Sequence, residues 1–166
     1  KFYSKRLYNV VVNFLTDFAA DDDVVNWIAQ ESFGVRFMLP DQETEDLMSE
    51  DSSNFQEFYD WEKMEILAMF EELPDGFQKQ DGLQYLVRRV NGQDNPTYPD
   101  AAAIAWTGFN TIEWMSKAFT GEINDVRRLI LHEKAHFLWA YSFDQELKDD
   151  WAEIGGWFED PSVASG

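Results

Sequence analysis

Cysteine is absent from the 166-residue chain, and histidine occurs only twice. The first absence excludes disulfides, thiol nucleophiles, iron–sulfur clusters and every cysteine-ligated zinc site. It leaves the compartment open, since cysteine-free chains occur inside and outside cells. Basic residues are also scarce: 13 Lys and Arg stand against 32 Asp and Glu, a formal charge of -19. Such a chain lacks the basic face that phosphate contacts need, which argues against nucleic acid and anionic membranes as partners. No apolar run approaches the roughly 18 residues of a membrane span. What the chain has is aromatic mass, with 14 Phe, 7 Trp and 6 Tyr in a composition that is 45% apolar. That is too much buriable surface for a disordered acidic chain. The length suits one domain, or one core with an appended helical segment.

The opening KFYSKR resembles a processed edge more than a signal peptide, and the chain is expected to be a fragment of something longer. Leu7, Val11, Phe14, Leu15 and Phe18 recur at steps of three and four, which predicts a helix with one apolar face. Asp21, Asp22 and Asp23 read as the solvated start of a second helix rather than a calcium loop, whose spaced ligands and glycine are missing. That helix carries Val24, Trp27 and Ile28 and ends at Gly34, before the break at Leu39-Pro40. Residues 41–54 are polar and acidic and read as a flexible connection. Ser53 with Gln56 three residues on is a capping-box signature for a helix that carries Phe55, Phe58, Tyr59, Met64, Leu67 and Phe70 and stops at Leu73-Pro74. An aromatic stripe at this spacing is core packing.

Beyond Pro74 the pattern changes. LQYLVRRV (83–90) is β-like, Asn91-Gly92 marks a turn and residues 95–100 form a loop with two prolines. AAAIAW (101–106) and NTIEWM (110–115) are further short strands, and a helix begins near Asn124, whose side chain is placed to cap it. The fold class expected is α+β: mostly helical, with a small mixed sheet packed on this last helix. Residues 1–72 form a helical N-terminal segment, and residues 73–166 a second domain with a truncated C-terminus.

The last helix carries His132-Glu133-Lys134-Ala135-His136, an H-E-x-x-H that uses both histidines of the chain. Four residues are slightly more than one helical turn, so both imidazoles leave the same face about one turn apart. Two ring nitrogens can then meet one zinc ion, and Glu133 can reach a water bound to it. The alternative is an ordinary amphipathic helix with the histidines packed against Leu129 and Trp139, but buried imidazoles need hydrogen-bond partners.

These residues resemble the zincin metallopeptidases, in which apolar residues flank the motif, as Leu129, Ile130, Leu131, Ala135, Phe137 and Leu138 do here. Lys134 departs from that pattern, where an uncharged residue is usual, and reads as a solvated side chain on the outer face. The order Leu-Pro, strand, strand and motif helix resembles the catalytic domain of anthrax lethal factor and the related Pro-Pro endopeptidases. That resemblance implies a small mixed sheet over residues 73–143, one strand of which, AAAIAW or NTIEWM, pairs with extended substrate backbone. It also implies a secreted or extracellular bacterial enzyme acting on a peptide or protein.

Catalytic zinc takes three protein ligands and keeps a fourth position for water. Without cysteine or a third histidine, the remaining ligand is Asp or Glu. Glu153, in a second helix over residues 144–158, lies 17 positions after His136 and is the preferred candidate. That interval is slightly shorter than in thermolysin-like and aminopeptidase gluzincins. Asp149, Asp150 and Glu159 are lesser candidates, and any of these acids could equally belong to a solvated helix face. The reaction implied is hydrolysis of peptide bonds by a Zn2+-activated water with Glu133 as general base. Tyr141 is a candidate oxyanion donor, though an aromatic in that place is more often packing. Acidic charge favours cationic peptides weakly. A non-catalytic, zinc-stabilised interaction domain and an inactive fragment are the competing readings.

Overall fold

The computed structural model describes residues 22–74 and 76–155. The helix expected around Leu7 to Phe18 and the candidate Glu159 lie outside them. Helix α1 (Asp22–Phe33) buries Val25, Ile28, Ala29 and Phe33 along one stripe. It stops where Gly34 takes a φ of +72°, a left-handed conformation that glycine adopts without a Cβ penalty. A two-residue strand, β1 (Arg36–Phe37), follows.

Residues 41–54 are not a loose connection. The Asp41 side chain accepts the Glu43 and Thr44 backbone N–H groups and so starts α2 (Gln42–Met48), which buries Thr44 and Met48. Ser53 does not open the next helix either. Asp51 accepts the Ser53 N–H to begin a 3-10 turn over Ser52–Asn54, and Gln56 lies in strand β2 (Phe55–Gln56). Helix α3 (Asp60–Glu72) starts later, where the Glu62 carboxylate accepts the Tyr59 N–H. It ends just before Leu73-Pro74, as expected.

Strand β3 (Tyr85–Arg89) organises the sheet. On one edge it pairs with β1 in parallel and, further along, with β2 in antiparallel register. On the other edge it pairs in parallel with β5 (Thr111–Trp114), which pairs in turn with the antiparallel β4 (Ala103–Trp106). The order β1-β3-β5-β4 leaves β4 at the rim. The sheet is therefore mixed and open, and the described residues make an α+β fold. Both faces of β3 are covered, since Leu86 and Val87 are each fully buried, so a polar–apolar alternation does not apply to it.

One face of the sheet, with Leu86, Ile112 and Trp114, packs on α1, on α3 through Ile66 and Phe70, and on α4 (Ile123–Phe137) through Val126, Ile130 and Phe137. The other face holds Val87 against Met38, Met48 and Phe55. Each face also buries one arginine of β3. Arg88 meets Glu62 of α3 at 2.9 Å, and Arg89 pairs with Glu113 of β5 and, at 3.0 Å, with Glu50. Residues before and after position 73 thus share one sheet and one core.

Helix α4 begins one residue before Asn124, which does not cap it. The Asp125 carboxylate accepts the Glu122 N–H, while Asn124 accepts from Arg127. After Phe137 the helix widens into a π turn, Leu138–Ser142, and α5 (Gln145–Gly155) follows, with Asp144 accepting the Leu147 N–H. Among the described residues no helix is long and apolar enough to cross a membrane.

Candidate metal centre and the pocket beside it

Because α4 buries Val126, Ile130 and Phe137, the rest of its surface is fixed by the helical period. His132 and His136 fall on the open side, with ring centroids 4.9 Å apart and planes at 88°. Their Nε2 atoms are 3.3 Å apart. Two nitrogens bound at 2.0–2.1 Å to one tetrahedral ion lie about 3.3–3.4 Å apart, so this pair has the spacing that zinc asks for. Burial, with His132 as a second cause, lowers the pKa of His136 below the usual histidine value. That favours the neutral ring, the form that ligates a metal.

Glu133 turns inward from the histidines and is 4% exposed. It faces the rim strand, with the Ala105 backbone N–H nearby. Burial raises its pKa to about 7, and the Ala105 hydrogen bond opposes that rise. The strand supplies this donor for a reason of register. Met115 donates its N–H to the Ala102 carbonyl, so by antiparallel alternation Ile104 and Trp106 turn their backbone groups toward β5. Ala103 and Ala105 turn theirs outward, to the free rim beside α4. Of the two strands considered for a cleft-lining role, AAAIAW forms the rim and NTIEWM lies inside the sheet.

Lys134 corrects the expectation of a solvated side chain. It is 3% exposed, with Nζ donating to the Gln78 carbonyl at 2.9 Å and lying 4.2 Å from the centroid of the Phe70 ring. Burial lowers its pKa to about 7. The motif helix thus places a lysine in its core-facing stripe and keeps the two histidines outside.

Of the acids proposed as third ligand, those among the described residues are not gathered to the histidines. Among the described residues no group of three His, Asp or Glu side chains is placed to hold a metal ion. Trp151 is the residue that α5 presents to His132 and His136. Glu153, exposed, lies two positions later, about 200° further round the helix. Asp149 accepts a hydrogen bond from Gln145 along the same helix, and Asp150 is exposed. Tyr141 is also engaged elsewhere. Its hydroxyl donates to the Thr107 carbonyl at 2.6 Å, and its ring stacks on Phe137 and covers Gly82.

Beside the imidazoles lies a pocket of about 300 Å³, walled by His132, His136, Ala135, Leu138, Trp139, Phe143 and Trp151. Trp139, Phe143 and Trp151 meet in series, with centroids 6.3 and 5.5 Å apart. The sequence held a signal for it: positions 132, 136, 139 and 143 continue one helical stripe from the histidines into two aromatics. The outward N–H of Ala105 had no such signal, because it depends on which strand becomes the rim. Comparison of the chain with protein-family models, with curated proteins and with solved structures returns no match.

Proposed function

We propose that the chain is a zinc-dependent endopeptidase that hydrolyses peptide bonds with Glu133 as general base. The observation that carries this reading is the 3.3 Å separation of the His132 and His136 Nε2 atoms with the buried carboxylate of Glu133 one residue away. His132 and His136 would hold the ion, which when bound supplies Lewis acidity to a water and to the scissile carbonyl. A third carboxylate would complete the set; Glu153 could join only if α5 turned by about half a turn or more about its axis.

Glu133 fits the work of a base. A pKa near 7 lets its carboxylate accept a proton from the attacking water and return it to the leaving amine nitrogen as the C–N bond breaks. The Ala105 N–H, on the rim strand, favours the charged form of that carboxylate. The outward carbonyls of Ala103 and Ala105 suit the N–H groups of an extended peptide laid along the rim, which would bring its backbone past the histidines.

The test is metal analysis together with cleavage of a peptide library. Zinc should bind one per chain, cleavage should stop on chelation, and Glu133→Gln should keep the metal while lowering kcat by about a hundredfold or more. Near-wild-type hydrolysis by Glu133→Gln would remove the assigned base. The competing reading is a non-catalytic domain that zinc stabilises through a site closed by four protein ligands. In that case zinc would be bound without cleavage, and chelation would unfold the domain.

A further inference from the structure

The pocket beside the histidines has a chemistry of its own. Among the described residues its walls are Leu138, Trp139, Phe143 and Trp151, mostly hydrocarbon and ring surface, together with Ala135 and the two imidazoles. Among the described residues no carboxylate lines it, although the chain carries 32 of them. Lys148 Nζ lies 5.7 Å from the Trp139 ring centroid. A cavity of about 300 Å³ is at the lower end of ligand pockets, which suits one side chain rather than a cofactor.

We propose that this pocket is the specificity pocket of the site, and that it takes an uncharged aromatic or large aliphatic side chain of a peptide substrate, next to the bond held at the histidines. The inference rests on the endopeptidase reading for the word substrate, but the pocket's preference stands on its own walls. An aromatic side chain gains the burial of its ring plus edge or offset contacts with Trp139 and Phe143. A carboxylate side chain would lose its water against the hydrocarbon and ring faces that dominate the walls, so acidic residues are disfavoured. Trp151 forms the outer wall from a different helix, and it is itself 44% exposed. Its removal should open the pocket without unfolding the core.

The experiment uses the full chain in two arms. In the first, N-acetylphenylalaninamide, N-acetylleucinamide, N-acetylalaninamide and N-acetylaspartamide are titrated into isotope-labelled protein, and the Trp139 and Trp151 indole and His132 and His136 imidazole resonances are followed. The phenylalanine and leucine probes should bind at about millimolar Kd and move those resonances, as their size allows. The alanine and aspartate probes should bind about tenfold more weakly. Trp151→Ala should erase most of that difference, and Ala135→Leu, which fills the floor, should block the phenylalanine probe. Equal binding of all four probes, or shifts confined to other parts of the protein, would overturn the inference. In the second arm the zinc-loaded protein is given a peptide library. Cleavage enriched for aromatic or large aliphatic residues beside the cut supports the pocket, and cleavage with no such enrichment refutes it while leaving the enzyme standing. Selective probe binding with no cleavage keeps the pocket and refutes the enzyme.

Discussion

Glu133 and Lys134 are neighbours in the chain, both buried, and burial moves their proton equilibria in opposite directions. Glu133 binds its proton more tightly in the folded than in the unfolded chain, with a pKa of about 7 against 4.5. Its contribution to stability is therefore fully present below pH 4.5 and is lost as pH rises to about 7. Lys134 binds its proton more weakly when folded, about 7 against 10.5, so the stability it withholds at neutral pH returns as pH rises toward 10.5. In metal-free protein the two effects meet near neutrality. Glu133→Gln should stabilise the chelated protein above pH 7 by about 1–3 kcal/mol and do little at pH 4. Lys134→Met, which keeps the contact with Phe70, should gain most below pH 7 and lose its advantage as pH rises toward 10.5. Urea midpoints of each variant minus wild type across pH 4–10 check both signs, and a constant difference would contradict them. The motif itself was legible because spacing along a helix needs no tertiary information. The burial of Lys134 was not, since only the packing of Ile130 and Phe137, four before and three after it, shows which stripe of the helix is core.

At the scale of elements, the segment after the motif is held by a contact that tolerates no methyl group. Gly82 has a φ of +80°, and a Cβ there would lie 2.3 Å from the ring of Tyr141. Gly82→Ala must therefore strain the backbone and displace the ring that closes the π turn, and should cost about 2–4 kcal/mol in a denaturation experiment. Tyr141→Phe keeps the ring and removes only the hydroxyl held by Thr107, so the loss should be about 1 kcal/mol. The same variant decides the catalytic role: hydrolysis within about threefold of wild type fits a packing residue, whereas an oxyanion donor would cost about a hundredfold or more. Strand identity was legible here, since 83–90, 101–106 and 110–115 all contain strands. Strand order was not, because it is decided by pairing across the chain. Gln56 illustrates the limit. Locally it completes a capping box with Ser53, but pairing with Arg88 makes it part of a strand.

For the whole molecule, the division at residue 73 has a physical test. Residues 73–166 hold the motif and three of the strands, yet one edge of β3 pairs with β1 and β2 from the preceding segment. The face of the sheet that supports α4 also rests on Phe33, Ile66 and Phe70. Charge sharpens the dependence. Arg88 and Arg89 are each 2% exposed, and Glu62 and Glu50 answer them from the earlier segment. Without Glu62, Arg88 keeps a backbone carbonyl and Asn91 but has no carboxylate left among the contacts it makes. An unpaired buried charge costs about 3–5 kcal/mol, a large share of the 5–15 kcal/mol that holds a domain. A fragment of residues 73–166 should therefore fail to fold: its amide spectrum should lack dispersion, and heating should give no cooperative transition. Adding residues 22–72 as a separate chain should restore both, since the missing strands and carboxylates can dock on the exposed edge of β3. A fragment that folds cooperatively alone would show that the motif helix and three strands suffice, and that the earlier segment decorates the site rather than building it.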